Sequence, residues 1–482
     1  MEKSIIPDNI ASPKRADALD ALRGFAILMM VFSGLIPYKV LPAWMYHGQE
    51  PPPTHAFNPN IAGLTWVDLV FPIFLFSMGA AIPLALSRRL EKGWSIKEII
   101  LSIFKRGFLL GTFAIFLQHI RPHRINPSPN TSTWWIALVG FVLLFLMFVR
   151  WPDAWINQRL KLVTWGAWIL AILLLAVIHY PDGSGFSLTR SDIILILLAD
   201  AAVFASLIWL FTPSNWLLRL GSLGLLLAFR LSASSDGWVD WLWSFSPAPW
   251  IFKFEYIQYL FLVIPGTIAG DLIYSWLHSR SLEQDLERPV YNWTKQRFLS
   301  IIVLMLAICL TLLTGLQARW VWQTTLVCLA LCTTGWFLFA KPAHETEVLL
   351  HRLYTWAIYW LGLGLLFEPY EGGIKKDSPT MSYYFVNAAI AIFLLITFTI
   401  IIDILKQKKW VQLLVYNGQN PMIAYVGIAN LIWPILGITQ IYPWILENTK
   451  TPGLGIIRAI VYTCLLALIV SFFTMKKIFL RT

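Results

Sequence analysis

Charged residues are scarce in this sequence. Asp, Glu, Lys and Arg together make up 13% of its 482 residues and hydrophobic residues make up 57%, whereas a soluble globular chain carries about 25% charged residues. No long polar block separates the apolar stretches. The composition therefore excludes a soluble enzyme, and it predicts a single transmembrane domain over residues 1–482.

Cysteine is also rare, and its placement argues against two kinds of site. All four cysteines lie inside apolar segments: Cys309, Cys328, Cys332 and Cys464. Cys328 and Cys332 are four positions apart, but no histidine or carboxylate joins them there. We therefore expect neither a disulfide nor a bound metal.

Long apolar runs dominate what is present. Fourteen candidate spans recur between residues 20 and 476, each near the roughly 20 residues that cross a bilayer as a helix. Several are short or closely spaced, so the sequence predicts an all-α, polytopic membrane helix bundle of about 11–14 transmembrane helices. The first apolar run has no small-residue cleavage site after it, so we expect it to be retained as a helix.

The basic residues indicate the orientation of the bundle. The formal net charge is +11, and the Lys and Arg residues cluster in short loops on one face of the predicted bundle. Because cytoplasmic loops carry the excess of Lys and Arg, this face and both termini are predicted to be cytoplasmic. The same placement argues against nucleic acid as a partner. The opposite, exoplasmic loops are rich in Trp, Tyr, Pro, Asn and Asp.

Ionisable side chains inside the apolar runs are candidates for a functional site, because each costs about 2.5–3.5 kcal/mol at the centre of a membrane helix. They include Asp20, Arg23, Asp68, Arg106, Asp200, Arg219, Arg230 and Asp271. Structural roles compete at two places. Asp20 and Arg23 are spaced to pair on one helix face, and Asp68 falls in the first turn after Thr65, where a carboxylate stabilises the helix start.

Two histidines precede Asp68 in one exoplasmic loop. His47 and His55 lie in a proline-rich segment that leads directly into the helix of Asp68. Imidazole exchanges protons near neutral pH, so a histidine held at the membrane mouth suits general-base catalysis. A loop histidine is more often simply solvated, and both interpretations stay open on spacing alone.

Two stretches resemble a known family. The segments "ALDALRGFAILMMVFSG" and "HAFNPNIAGLTWVDLVFPIFLFSMGAAIPLAL" are similar to the heparan-α-glucosaminide N-acetyltransferase family, with the best match over 14–110 and weaker matches at 362–385 and 417–427. The resemblance implies a transmembrane enzyme that moves acetyl from cytosolic acetyl-CoA to the amino group of a glucosamine-type sugar on the exoplasmic face. It implies no metal, and for a bacterial member it implies the inner membrane.

The resemblance also implies the catalytic residues. The family's essential histidine stands shortly before the G-L-T-x-x-D helix start, but here three extra residues separate His55 and Ala56 from Gly63, and His47 competes for the role. We favour His55 as general base or acetyl carrier. Asp68 would orient the imidazole or stabilise its charged form.

The acetyl donor is expected at the cytoplasmic face. Coenzyme A carries phosphates, which bind Arg and Lys side chains or helix-end N–H groups. The predicted donor-binding residues are Arg23, Arg88, Arg89, Lys105 and Arg106. We expect the pantetheine arm to lie between helices, in a passage lined by small residues such as Gly79 and Ala80. Asn417 and Asn420 are candidate donors to the thioester oxygen.

The acceptor, an amino sugar or oligosaccharide, is expected at the exoplasmic loops. Aromatic faces and carboxylates suit a cationic amino sugar, which favours Trp238, Asp240 and Glu255, although an aromatic belt at the membrane interface also explains the tryptophan. Lys375, in the family-like stretch 362–385, completes the predicted substrate-binding set. The other predicted partners are the lipid bilayer and, as an option, a second copy of the chain in a homodimer.

Two alternative functions share these features. An O-acyltransferase that modifies cell-envelope polysaccharide would use the same kind of helix bundle. A secondary sugar transporter would use Asp200, Arg219 and Asp271 to line its path, although no internal repeat of the transporter kind is evident.

Overall fold

The computed structural model describes residues 15–482 apart from 39, 153, 154, 157, 214, 234–236 and 283–290. The chain is 74% helical, so the prediction of an all-α polytopic bundle is confirmed. The first 14 residues, which the sequence assigns to a cytoplasmic N-terminus, lie outside the described part.

Nineteen α-helices and two short strands form the described part of the chain. In order they are α1 (Asp17–Ser33), α2 (Trp66–Glu91), α3 (Ile96–His119), α4 (Pro122–Ile125), α5 (Thr131–Phe148), β1 (Val149–Arg150), α6 (Gln158–Val177), α7 (Ile193–Phe211), α8 (Trp216–Ser232), α9 (Trp238–Trp243), α10 (Leu260–Leu282), α11 (Lys295–Gln317), α12 (Val321–Leu338), α13 (Glu345–Phe367), α14 (Met381–Thr399), α15 (Lys408–Gln419), α16 (Pro421–Gly427), α17 (Trp433–Ile438), α18 (Ile441–Asn448), α19 (Pro452–Met475) and β2 (Phe479–Leu480).

Eleven helical segments in the described residues are long and apolar enough to cross a membrane, at the lower end of the predicted 11–14. The other three predicted spans form the helices α1, α8 and α13. The chain is therefore an integral, multi-pass membrane protein. Its orientation stays a prediction.

Burial separates central helices from peripheral ones. The apolar windows of α2 and α14 are 83% and 89% buried, whereas those of α6 and α12 are 11% and 22% buried. A helix that is apolar on all sides but poorly covered by protein faces lipid. The helix of Asp68 therefore runs through the middle of the bundle, and α6 and α12 lie at its edge.

The helices α1 and α15 touch through their backbones. A Cβ atom on Gly24 would overlap the carbonyl oxygen of Leu414, and one on Gly418 would overlap the carbonyl oxygen of Asp20. Arg23 lies at this crossing, where its guanidinium donates to Gly418 O at 3.3 Å and to Ser77 O at 3.1 Å. One arginine thereby links α1, α2 and α15.

Substituting Gly24 with alanine tests this crossing. The added methyl group has no space, so we expect Gly24→Ala to lower the free energy of unfolding by about 1–3 kcal/mol, seen as a lower Tm of the purified protein in detergent. Gly221→Ala is the matched control, because no atom lies within 4 Å of a Cβ there and alanine is preferred to glycine inside a helix by about 0.5–1 kcal/mol. Equal Tm values for the two variants would contradict the close crossing.

Candidate functional site

His47 lies between two carboxylates at the start of α2. Its Nδ1 atom is 3.1 Å from Asp68 Oδ1 and its Nε2 atom is 2.8 Å from Asp377 Oδ2. The side chain of Asp68 is 2% exposed and that of Asp377 is 47% exposed. One imidazole ring therefore joins a carboxylate enclosed by protein to a carboxylate that faces solvent. We call these three residues the His47 site.

The two oxygens of Asp68 have separate tasks. Oδ2 accepts hydrogen bonds from the backbone N–H groups of Gly48 and Thr65, each at 3.1 Å, and from the Thr65 hydroxyl at 3.0 Å. This is the helix-start role that sequence spacing predicts. Oδ1 is buried and accepts no hydrogen bond from the described residues, and it faces His47 Nδ1. Asp68 therefore caps its helix and still has one oxygen available to the imidazole.

The position of the proton on His47 determines which carboxylate the ring donates to. With the proton on Nε2, the ring donates to Asp377, and Nδ1 accepts from Gln49 N at 3.2 Å. With the proton on Nδ1, that nitrogen lies 3.1 Å from Asp68 Oδ1 without a hydrogen bond to it in this geometry, and the lone pair of Nε2 faces Asp377 Oδ2 at 2.8 Å. The second tautomer is the arrangement of a general base whose far nitrogen is oriented by a buried carboxylate.

Asp377 belongs to the loop 368–380, which two ion pairs hold in place. Glu368 lies 2.6 Å from Arg319, and Glu371 lies 3.0 Å from Arg230. Charge pairs that are partly buried and hydrogen-bonded at both ends fix the conformation of a loop better than exposed pairs do. The loop is therefore anchored at two points before it delivers Asp377 to His47.

Gln49 and Lys376 complete the surroundings of Asp377. The Gln49 side chain accepts from Asp377 N at 2.8 Å and donates to Asp377 O, and Lys376 Nζ lies 3.9 Å from Asp68 Oδ1. Partial burial raises the pKa of Asp377, but the hydrogen bond from His47 and the charge of Lys376 outweigh it and leave that pKa below its ordinary value. Asp377 is therefore a carboxylate anion near neutral pH, and its exposed side screens these effects.

His55, which the sequence favours as the base, lies in a different environment. Its ring packs between Tyr38 and Tyr46, with centroid distances of 4.3 and 4.5 Å. The side chain is buried, and neither ring nitrogen has a hydrogen-bond partner among the described residues. The contact with Asp68 that the resemblance implies for His55 is made by His47.

A cavity of about 650 Å³ lies along the other half of α2. Six arginines line it: Arg15, Arg23, Arg89, Arg106, Arg150 and Arg481. We call it the arginine cavity. Of the predicted donor-binding residues, Arg23, Arg89 and Arg106 belong to its lining. Arg88 and Lys105 are exposed outside that lining.

The positive charges of the arginine cavity are only partly compensated. Asp20 lies 2.7 Å from Arg15 and 3.4 Å from Arg23. The pKa of Arg481 is lowered, first by desolvation in the cavity wall and then by the like charges of Arg15 and Arg150. Asp20 acts in the opposite sense, and solvent reaches Arg481 through the open cavity. Cations gathered around one concave surface repel each other unless an anion enters. The arginine cavity is therefore suited to a ligand with several negative charges.

Two of these arginines are positioned by the last residues of the chain. The strands β1 and β2 pair antiparallel, with Arg150 opposite Phe479, and this places Arg481 at the cavity. The Asn420 side chain donates to Ile478 O at 2.9 Å and accepts from Leu480 N at 3.0 Å. Asn420 therefore holds the C-terminal segment, whereas the sequence assigned it to the thioester.

Asn417 has a similar helix-packing role. Its amide nitrogen lies 2.9 Å from Leu413 O and 3.1 Å from Ala467 O, so it joins α15 to α19. The lining of the arginine cavity includes neither asparagine, but it does include their neighbours Gln419 and Pro421. The structure thus gives both asparagines scaffold contacts.

The inner end of the arginine cavity approaches the His47 site. Phe74 of α2 lines the cavity and follows Asp68 by six positions, which is about 9 Å along a helix. A narrow apolar pocket shares Phe74 with the cavity and extends to Met30 and Tyr425. The prediction that Gly79 lines a passage for the pantetheine arm is wrong. Gly79 packs so closely on the α10 backbone that a Cβ would overlap Val263 O.

The predicted acceptor residues are dispersed. Trp238 is 70% exposed in α9, and Asp240 is exposed in the same helix. Glu255 lies 3.5 Å from Lys253. Lys375 lies in the loop 368–380, where its backbone bonds to Thr380, and its neighbour Lys376 is the residue that reaches Asp68. Among the described residues, no hydrogen bond, ion pair or ring contact joins these four side chains to one another.

The residues that would mark a transporter path form local contacts instead. Arg219, which is fully buried, lies 2.5 Å from Asp271, and Trp209 Nε1 donates to the same carboxylate at 2.9 Å. Asp200 is buried in α7, and its Oδ2 has no hydrogen-bond partner among the described residues. No group of three His, Cys, Asp or Glu residues in the described ranges is placed to hold a metal ion.

Sequence reasoning missed Asp377 and three arginines of the cavity. Asp377 stands within the family-like stretch 362–385, but 309 positions separate it from Asp68 and no local pattern joins them. Arg15, Arg150 and Arg481 each adjoin an apolar span on the predicted cytoplasmic face. The positive-inside pattern includes them, but it does not show that they share a cavity.

Comparison with known proteins gives one family and two relatives. Residues 15–273 match a family model described as "Domain of unknown function (DUF5009)". Over 118 residues, 24% of this chain, the sequence is 35% identical to the heparan-alpha-glucosaminide N-acetyltransferase of Homo sapiens and 33% identical to that of Mus musculus. The aligned part spans 15% of the length of each relative.

The contacts of Asn420 generate a test of the C-terminal segment. We expect Asn420→Leu to leave two buried backbone groups without a partner, at about 1–3 kcal/mol each, and so to release residues 476–482. Hydrogen exchange at Leu480 N and limited proteolysis of this segment measure the release. Asn448→Leu is the control, because that exposed amide bonds only within its own helix. An unchanged rate of hydrogen exchange at Leu480 N in Asn420→Leu would show that Asn420 does not hold the C-terminal segment.

Proposed function

The chain belongs to the DUF5009 family, and we propose that it is a transmembrane N-acetyltransferase. In this proposal acetyl-CoA binds in the arginine cavity, and the acetyl group is transferred to the amino group of a glucosamine-type sugar at the His47 site. The similarity to two heparan-alpha-glucosaminide N-acetyltransferases supports the reaction class. The acceptor is proposed from the same similarity and from the carboxylates of the site.

One observation carries the proposal: a polycationic cavity and an imidazole between carboxylates occupy opposite ends of the same helix. Asp68 and Arg89 are 21 positions apart on α2, which is about 30 Å and equals the thickness of the hydrocarbon core. A reaction that joins a polyanionic donor from one side to an amine from the other needs such a two-ended arrangement.

The arginine cavity fits coenzyme A by charge and by shape. Its guanidinium groups supply donors in the planar geometry that binds phosphate oxygens. Its inner wall, with Phe74 and Met78, is apolar and suits the pantetheine arm. With the phosphates held among the arginines, the thioester is directed along α2 toward Asp68.

His47 is the proposed general base. When the ammonium group of the acceptor binds Asp377 in place of His47 Nε2, the nearby charge of Asp68 Oδ1 favours the proton on Nδ1, and Nε2 presents its lone pair to the acceptor. The anionic Asp377 attracts the ammonium group of the acceptor. This group gives one proton to water at the exposed side of the site, and the neutral amine then attacks the thioester carbonyl. As the N–C bond forms, Nε2 accepts the amine proton. The C–S bond breaks, and the thiolate leaves toward the arginine cavity, where it takes up a proton to give free coenzyme A.

Replacing His47 tests the proposed base. We expect His47→Gln to lower thiol release from acetyl-CoA, with glucosamine as acceptor, by about 10²–10⁴-fold, the usual contribution of a general base. His179→Ala is the control, because it removes an exposed imidazole of the same predicted face and should leave turnover unchanged. The assay uses purified protein and a panel of amino sugars.

The product distinguishes the proposed reaction from its alternative. An amide product is stable to mild base, whereas an O-acyltransferase would give an ester that mild base cleaves. Turnover that survives in His47→Gln, or a base-labile product, would contradict the proposal. Failure to release thiol with every amine would contradict the reaction class itself.

Arg89 tests the donor site. Hydrogen bonds to charged groups contribute about 1.5–3 kcal/mol, so we expect Arg89→Gln to raise the KM for acetyl-CoA by about 10- to 100-fold with a smaller change in kcat. Lys92→Gln removes a solvent-exposed charge three positions further along. It should leave the KM for acetyl-CoA within about twofold of the wild-type value, because exposed charges contribute little. If both variants behave alike, the arginine cavity is not the donor site.

A further inference from the structure

We propose that His55 is a positioning residue, whose ring is the centre of an aromatic stack that fixes the backbone of His47. The inference rests on the proposed function for the role of His47. It assigns to His55 a task that requires the shape of the ring and neither of its nitrogens.

The stack consists of Tyr38, His55 and Tyr46. The His55 ring lies over Tyr38 at 35° and meets Tyr46 edge-on at 83°, while Tyr38 and Tyr46 contact each other at 5.9 Å. Three rings in mutual contact restrain one another, because each contact limits the rotation of the others. We call this group the aromatic stack.

Tyr46 connects the aromatic stack to the site. Its hydroxyl donates to Pro37 O at 2.6 Å and accepts from Leu41 N at 3.0 Å, so the ring is fixed at its outer end. Its carbonyl oxygen lies 2.8 Å from the Thr65 hydroxyl, whose single proton it shares with Asp68 Oδ2, and the next residue along the chain is His47. A shift of the Tyr46 ring is therefore transmitted through one peptide unit to the imidazole between the carboxylates.

His55 itself is held by packing. Its φ of +52° lies in the left-handed region, which is unfavourable for a residue with a Cβ and persists only where the surroundings hold it. Its backbone N–H donates to Pro51 O at 3.1 Å. The ring is 7% exposed, with both nitrogens buried and without a hydrogen-bond partner among the described residues. A ring in this state neither receives nor delivers a proton at the site, so what it supplies is apolar surface.

Phenylalanine is the decisive substitution at position 55. It preserves a planar ring in the aromatic stack and removes a buried N–H group that has no acceptor. A buried donor without an acceptor destabilises the folded protein. We expect His55→Phe to keep kcat within about threefold, to keep the pH profile of kcat/KM, and to match or exceed the wild-type Tm. His55→Ala removes the ring, and we expect kcat to fall by about 10- to 100-fold, the usual effect of a misplaced catalytic group.

A second readout is independent of turnover. Diethyl pyrocarbonate modifies accessible imidazoles, and peptide mass spectrometry reports its rate at His47 alone. His47 is 14% exposed in the intact site. We expect its modification rate in the full-length protein to rise severalfold in His55→Ala and to stay at the wild-type value in His55→Phe. His47→Gln serves as the reference for complete loss of the base.

The outcomes separate the two proposals. Loss of turnover in His55→Phe to the level of His47→Gln, with an unchanged Tm, would show that the ring nitrogens are needed and would overturn the positioning role. Wild-type modification of His47 in His55→Ala would overturn it as well. If the wild-type protein releases no thiol, the proposed function fails, while a raised modification rate in His55→Ala and not in His55→Phe still supports the positioning role.

Discussion

A carboxylate enclosed at the start of a membrane helix needs partners for its charge, and Asp68 meets this need in a way that shapes the site. Three hydrogen bonds reach Oδ2, and Oδ1 lies 3.1 Å from His47 Nδ1. The loop before α2 has to fold back so that Gly48 and His47 reach this carboxylate. The cap of the central helix and the orientation of the imidazole thus depend on the same side chain.

The same constraint explains why distant segments meet at the end of α2. His47 has a second nitrogen, and Asp377 approaches it from the loop 368–380. Glu368 pairs with Arg319, in the turn between α11 and α12, and Glu371 pairs with Arg230 of α8. The Tyr383 hydroxyl donates to Asp68 O at 3.0 Å. Because α14 and α2 are the most buried helices, the loop between α13 and α14 rests on the least mobile part of the bundle.

Sequence reasoning predicted the fold well and the site in part, for physical reasons. The fourteen apolar runs all form helices because the bilayer leaves the backbone no other way to satisfy its hydrogen bonds. Asp68, Arg23 and Arg106 were singled out because charge inside an apolar run is costly and therefore conspicuous, and Arg89 because it lies among the basic residues of the predicted cytoplasmic face. The choice of His55 over His47 relied on the resemblance of the stretch that begins at His55 and Ala56 to the family, and a proline-rich loop has no fixed period that would show which imidazole reaches Asp68. Asp377 and Asn420 depend on tertiary contacts that no local pattern records.

Under the proposed function, the lengthened histidine loop keeps an imidazole in contact with Asp68 through a different histidine. Three residues more than the family spacing separate His55 from Gly63, and an extended insertion of that size moves a side chain by about 10 Å. In this chain the displaced imidazole packs between two tyrosines, and an imidazole eight positions earlier contacts the helix-capping carboxylate. The constraint on the loop is therefore the contact between an imidazole and Asp68. Any loop path that delivers one ring to that oxygen, and buries the surplus residues against it, satisfies the same physical requirement.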